Sequence, residues 1–213
     1  MGIKGDCAIF AAMFSGIIEA KVKALKATQE SADLLRIWLE RPDFFDDIRT
    51  GDSIAVNGVC LTVERFDDEQ MQFAVAAETL KVTGWDENFF LQREHNLERS
   101  LRFGDRIHGH LVSGHVESMA EVSKSGMIDS DSYEVKIKLP ENLKAFVWNK
   151  VSLCINGISL TVNEVKDGEI QVCLVPETQE RTNLSSYKVG EKVCVEPDYM
   201  AKALFHWKDM ERA

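Results

Sequence analysis

Asn57-Gly58-Val59-Cys60-Leu61-Thr62-Val63 occurs a second time, 99 residues further on, as Asn156-Gly157-Ile158-Ser159-Leu160-Thr161-Val162. An Asn-Gly pair between apolar runs signals a β-hairpin, because both residues tolerate the positive φ of a two-residue turn. Outward from the pair the correspondence continues in order. Glu78-Thr79 returns as Glu177-Thr178, Pro42 as Pro140, and Ser15-Gly16 with Glu19 as Ser113-Gly114 with Glu117, at offsets of 98 or 99. Ordered matches whose offset drifts by one residue identify an internal duplication. Two repeats of about this length are too few and too long for a solenoid, so each reads as a small domain with its own core.

Within each repeat the apolar period is two. Tyr133, Val135, Ile137 and Leu139 alternate with Glu134, Lys136 and Lys138, which puts one set in a core and the charged set in water. Ser53-Ile54-Ala55-Val56 leads into the Asn57-Gly58 turn and Val59 to Val63 leads out. Short strands without a βαβ rhythm predict an all-β chain of two antiparallel barrels or sandwiches. One segment departs from this pattern: Met200, Ala203, Leu204, Trp207 and Met210 follow helical spacing after Pro197, predicting a C-terminal amphipathic helix that packs on its own domain or on copies of itself. The organisation expected is a leader over 1–12, repeats over 13–106 and 107–198, and an oligomerisation helix over 199–213.

Composition excludes several classes of function. With 45% hydrophobic and 28% charged residues and no low-complexity tract, the chain is neither fibrous nor disordered. A formal net charge of −10 without a basic block argues against nucleic acid or an anionic membrane as partner. The apolar stretch Ala8–Ile18 is too short to span a bilayer. Five cysteines, Cys7, Cys60, Cys154, Cys173 and Cys194, lack paired spacing, so they read as reduced thiols in a cytoplasmic protein, with no metal site.

No Gly-rich phosphate loop, Ser-centred elbow or HExxH is present. The polar residues worth weighing lie in the repeats. Thr62 and Thr161 are either ligand contacts or ordinary strand residues. Cys60 stands where the second repeat has Ser159, and a Cys in an apolar strand is more often core than nucleophile. His110 and His115, read as strand residues, fall on opposite faces, which disfavours joint metal ligation. Glu78-Thr79 and Glu177-Thr178 are turn residues or a matched pair of contacts. A duplicated domain offers two related pockets, suited to two similar ligands.

Met13-Phe14-Ser15-Gly16-Ile17-Ile18-Glu19, the two Asn-Gly motifs, Gly109 to His115 and Pro176 to Leu184 together resemble the riboflavin synthase α-subunit family, from Met13 to about Lys202. The resemblance implies two six-stranded Greek-key barrels and a C-terminal helix that gathers three subunits, with sites between subunits. It implies a dismutation of two 6,7-dimethyl-8-ribityllumazine molecules into riboflavin and 5-amino-6-(ribitylamino)uracil, without cofactor or metal. Matching positions would put Ser53, Cys60 and His115 beside the first substrate, with His115 for proton transfer and His110 nearby. Ser15, Gly16, Thr62 and Thr79 would add binding contacts, and Lys150, Asn156, Ser159, Thr161, Val175 and Thr178 would line the second pocket. Ser15, Asn156, His108 and Gln92-Arg93-Glu94 depart from the family pattern. An association with lumazine synthase, which forms the substrate, is a further partner suggested by the family. The alternative is a non-catalytic binder similar to the lumazine proteins of luminous bacteria.

Overall fold

The computed structural model describes residues 12 to 210. Apart from Ala12, the expected leader lies outside the described residues, as do 211–213 at the end of the chain.

The first repeat supplies β1 (Ala20–Ser31), β2 (Leu34–Glu40), β3 (Ser53–Val56), β4 (Val59–Phe66) and β5 (Gln70–Ala76), then α1 (Ala77–Thr83), α2 (Glu87–Leu91) and β6 (Glu94–Arg99). The strands close into an antiparallel barrel in the order β1-β2-β5-β4-β3-β6. Closure follows from the alternation, since Leu35, Ile37 and Leu39 on β2 and Met71, Phe73 and Val75 on β5 all point inward at 0% exposure. Fully buried side chains of this kind each contribute about 2 kcal/mol of hydrophobic stabilisation. The Asn57-Gly58 turn joins β3 to β4 with φ of 46° and 82°, as the two-residue hairpin requires.

The second repeat supplies β7 (Ser118–Met127), β8 (Tyr133–Lys138), β9 (Ser152–Ile155), β10 (Ile158–Thr161), β11 (Glu164–Lys166), β12 (Glu169–Leu174), α3 (Pro176–Arg181) and β13 (Lys192–Pro197). Its sheet order is β10-β9-β13-β7-β8-β12-β11. The same closed path is interrupted at one place, where Val162 and Asn163 split the counterpart of β4 into β10 and β11, so both ends of the curled sheet belong to one stretch of chain. The backbone still bridges the break, because Asn163 N donates to Gln171 O at 2.8 Å.

Sequence periodicity did not reveal α1, α2 and α3, of seven, five and six residues, which are too short to show a helical period. Glu78-Thr79 and Glu177-Thr178 lie at the starts of α1 and α3, so they are helix residues rather than turns. The helix α4 (Tyr199–Met210) follows Pro197 as expected. It docks through Ala201, an ion pair of Lys202 with Glu117, and an edge-to-face contact of Phe205 with Phe146 at 5.1 Å. The expected face is left outward, with Met200, Leu204, Trp207 and Met210 each more than half exposed.

The barrels meet across an approximate two-fold. A small apolar cluster there pairs equivalents from the two repeats, Phe14 with Val112 and Ala55 with Cys154. Phe14 and Val112 also exchange backbone hydrogen bonds of 2.8 and 3.0 Å. Beside it lies a buried asparagine knot. Asn183 Nδ2 donates to Asn57 Oδ1, Asn96 Nδ2 donates to Asn183 Oδ1, each at 2.9 Å, and Asn183 N donates to Asn96 Oδ1 at 2.8 Å. Three polar side chains buried together are tolerable only because each satisfies the others.

A paired site at the seam between the repeats

Register places Ser53 opposite Thr62 and Ala55 opposite Cys60 on the outer face of the first hairpin. The second hairpin repeats the row with Ser152 opposite Thr161 and Cys154 opposite Ser159. Cys60 and Ser159 are half-buried, whereas Thr62 and Thr161 are exposed beside them. Each row is overlaid by a corner from the other repeat. Ser159 N donates to Gly16 O at 2.7 Å, and Cys60 N donates to Gly114 O at 2.9 Å. Only glycine fits either corner, because φ is 76° at Gly16 and 79° at Gly114 and a Cβ would lie 2.6 Å from Ser159 Cβ or Cys60 Cβ.

Two carboxylates that sequence reasoning missed hold these corners. Glu98 accepts from Ser15 N, Ser15 Oγ and Gly16 N at 2.6, 2.8 and 3.0 Å. Glu196 accepts from Ser113 N, Ser113 Oγ and Gly114 N at 2.7, 2.7 and 3.0 Å. Glu98 and Glu196 obey the same 98-residue offset as the serines, and that offset was the available signal. Burial pushes Glu98 up to about 7 despite donors that favour its anion.

The two histidines occupy different environments. Gly109 to His115 is irregular chain with a single bridge at Val112, so strand spacing does not govern them. His110 is 9% exposed, with Nδ1 2.7 Å from Ser159 Oγ and Nε2 buried without a hydrogen-bond partner. Desolvation lowers its pKa, favouring the neutral ring as hydrogen-bond partner to the serine. His115 is exposed, and its backbone N donates to Ser113 Oγ at 3.3 Å. Burial raises the Cys60 thiol above its ordinary value while a hydrogen bond with Ser53 works the other way, so the free protein carries it as a thiol.

Lys150 is exposed at the entry to β9 with φ of 72°, where the first repeat has Gly51 at φ 96°. Both residues donate to the equivalent acceptor, Lys150 to Val162 O at 2.7 Å and Gly51 to Val63 O at 2.8 Å. A lysine held left-handed costs about 1 kcal/mol that glycine avoids. Val175 and Thr178 stand at the start of α3, and Thr79 at the matching place in α1. Asn156 is turned inward at 1% exposure, with Oδ1 accepting from Cys194 N at 2.8 Å and Nδ2 facing Asn183 Oδ1. Ser15 is likewise buried at 5% and its hydroxyl proton is committed to Glu98.

A cleft of about 970 Å³ opens beside the first row and is lined by Ser15, Ser53, Glu98 and Arg99 among others. Arg99 is fixed across it by Glu19 at 2.7 Å and Asp47 at 2.6 Å. The cleft brings together Ser15 and Ser53 of the expected site but not Cys60, Thr62 or His115.

Two closed or curled β-domains of one design, each presenting a Thr-bearing row to a corner of the other, define a duplicated small-molecule binding protein. Known proteins agree with this class. The lumazine binding domain family matches twice, over residues 15–100 and 113–198. The chain is 38% identical to riboflavin synthase of Chlamydia muridarum, covering 89% of this chain and 92% of that protein. It is 36% identical to riboflavin synthase of Escherichia coli, covering 90% of each. Among solved structures, LumP complexed with riboflavin superposes with a TM-score of 0.78 at 25% identity, over 86% of this chain and 98% of that one. The chain belongs to the riboflavin synthase family and is an enzyme of that family.

Proposed function

We propose that the protein converts two molecules of 6,7-dimethyl-8-ribityllumazine into riboflavin and 5-amino-6-(ribitylamino)uracil. The observation that carries this reading is the paired row. One chain holds two equivalent seats that have kept the same threonine, Thr62 and Thr161, and diverged beside it, Cys60 against Ser159 and Ala55 against Cys154. Two copies of one substrate with different tasks need such a pair. Structures of LumP with riboflavin and with 6,7-dimethyl-8-(1'-D-ribityl) lumazine support ligands of this size and shape.

The ring of the lumazine is electron-poor, so its 7-methyl protons are acidic and one substrate becomes a carbon nucleophile toward the other. The protein's part is to hold two rings in register and to move protons. In the first seat, Ser53, Cys60, Thr62 and Thr79 contact the donor, and His115, exposed beside them, transfers the proton. In the second, Ser159 polarised by neutral His110, with Thr161, Lys150, Val175 and Thr178, holds the acceptor. Gly16 supplies backbone at the corner, while Ser15 and Asn156 shape the seats from behind.

The outward apolar face of α4 supports assembly into a homotrimer in which the first seat of one subunit meets the second seat of the next. A cytoplasmic setting is supported by Cys60, Cys154, Cys173 and Cys194, all free thiols. An association with lumazine synthase would deliver the substrate. Incubation with the lumazine alone tests the function: riboflavin should accumulate, whereas tight binding without product would reassign the chain as a carrier.

A further inference from the structure

We infer that Glu98 and Glu196 are positioning residues, each setting one of the two histidines through the corner it clamps: Glu196 sets His115 over the first seat, and Glu98 sets His110 over the second. The assignment of the seats rests on the function proposed above, whereas the clamping geometry does not.

The linkage runs through named atoms. On one side Ser113 Oγ donates to Glu196 Oε1 at 2.7 Å and accepts from His115 N at 3.3 Å, while Glu196 Oε2 takes the N–H of Gly114, whose carbonyl receives Cys60 N. On the other, Glu98 takes both the N–H and the hydroxyl of Ser15, and the Ser15 carbonyl receives His110 N at 3.1 Å. The two clamps have matched distances but reach their histidines by different atoms, a side-chain oxygen in one case and a backbone carbonyl in the other. Each carboxylate stands on the last strand of its own repeat, β6 or β13, and the corner it holds covers the seat of the other repeat.

A purely structural role does not account for the choice of a carboxylate. Glu98 and Glu196 are 3% and 2% exposed, and a buried carboxylate carries a desolvation cost of several kcal/mol. Neutral amides meet the same kind of demand a few residues away, where Asn57 and Asn156 cap the backbone N–H of Asn96 and Cys194. What a carboxylate adds is simultaneous acceptance on both oxygens, which pins two consecutive residues and removes slack from the corner. Gln would keep one acceptor and turn its NH2 toward the Gly16 or Gly114 donor, releasing the second residue.

The test is a two-by-two experiment on the full chain without substrate, reading histidine ring resonances and their pH titration by NMR. Glu196→Gln should shift the His115 signals and leave those of His110 in place, and Glu98→Gln should do the reverse. Ser113→Ala and Ser15→Ala remove one link of each clamp and serve if a glutamine variant does not fold. With lumazine added, Glu196→Gln should lower kcat about tenfold to a hundredfold with KM within about threefold, since misplaced groups slow the reaction more than they weaken binding. Variants that move neither histidine, or both equally, would overturn the inference. Wild-type protein that forms no riboflavin would overturn the proposed reaction instead, leaving the NMR result to decide the clamps.

Discussion

The backbone of Gly58 lies directly against that of Gly157: a Cβ at either would sit 2.7 or 2.8 Å from the amide nitrogen of the other. The repeated turn that identifies the duplication is thus also a place where the two copies meet backbone to backbone. Both glycines have φ of 82°. Alanine at either position incurs left-handed strain of about 1 kcal/mol and a backbone clash of about 2 more, so Gly58→Ala and Gly157→Ala should each cost about 3 kcal/mol. Gly84 has φ of 64° and open space around it, so Gly84→Ala should cost only about 1 kcal/mol. Urea unfolding of the three variants checks the contrast, and equal losses would contradict it.

His95 gives stability a pH dependence. It is fully buried, its Nδ1 3.0 Å from Asn57 Nδ2 and its Nε2 2.9 Å from Phe90 O, and desolvation lowers its pKa to about 4. The unfolded chain therefore takes up a proton near pH 6.5 that the folded ring accepts only near 4. The contribution of neutral His95 is intact above pH 6.5 and is lost as pH falls toward 4, amounting to about 2 kcal/mol by pH 5. Glu98, raised to about 7, works in the opposite direction over part of this range, its contribution fading as pH rises. Subtracting His95→Gln removes the Glu98 effect, so the advantage of wild type over that variant should shrink by about 2 kcal/mol between pH 7.5 and pH 5.

Lys150 separates stability from activity. Lys150→Gly restores the residue type found at Gly51, relieving the left-handed strain while adding chain entropy to the unfolded state. Stability should stay within about 1 kcal/mol, and turnover should fall about tenfold or more as the second seat loses its cation. Parallel melting and rate measurements decide this, and unchanged turnover would remove Lys150 from the site.

The outer face of α4 predicts a fourth behaviour. Replacing Leu204 and Trp207 together by Glu leaves the docking residues Ala201 and Phe205 untouched, so the chain should fold, yet sedimentation should show one third of the wild-type mass. Turnover should fall with it if, as proposed, the first seat of one subunit meets the second seat of the next. An unchanged mass would place the interface elsewhere.

What was legible in the sequence was what local chemistry repeats. Asn57-Gly58 and Asn156-Gly157 announced their hairpins because a tight turn needs positive φ, and alternation announced β8. The helices α1 to α3 escaped because five to seven residues never complete a visible helical period. Glu98 and Glu196 escaped because an isolated carboxylate on a strand reads as solvent-facing, and only the fold shows that it faces a corner. Asn183 had no counterpart to betray it, since Gly84 occupies the matching place in the first repeat. His110 and His115 were noticed, yet their different burial depends on an irregular segment that no periodicity describes.

In the proposed reaction, two seats on a duplicated chain bring two identical substrates together. The most direct measurement is the stoichiometry of that reaction, with purified protein, 6,7-dimethyl-8-ribityllumazine and no other reactant, and both products quantified by chromatography. The expected yield is one riboflavin and one 5-amino-6-(ribitylamino)uracil for every two lumazines consumed. Lumazine bound without being consumed, or riboflavin formed without the uracil, would contradict it.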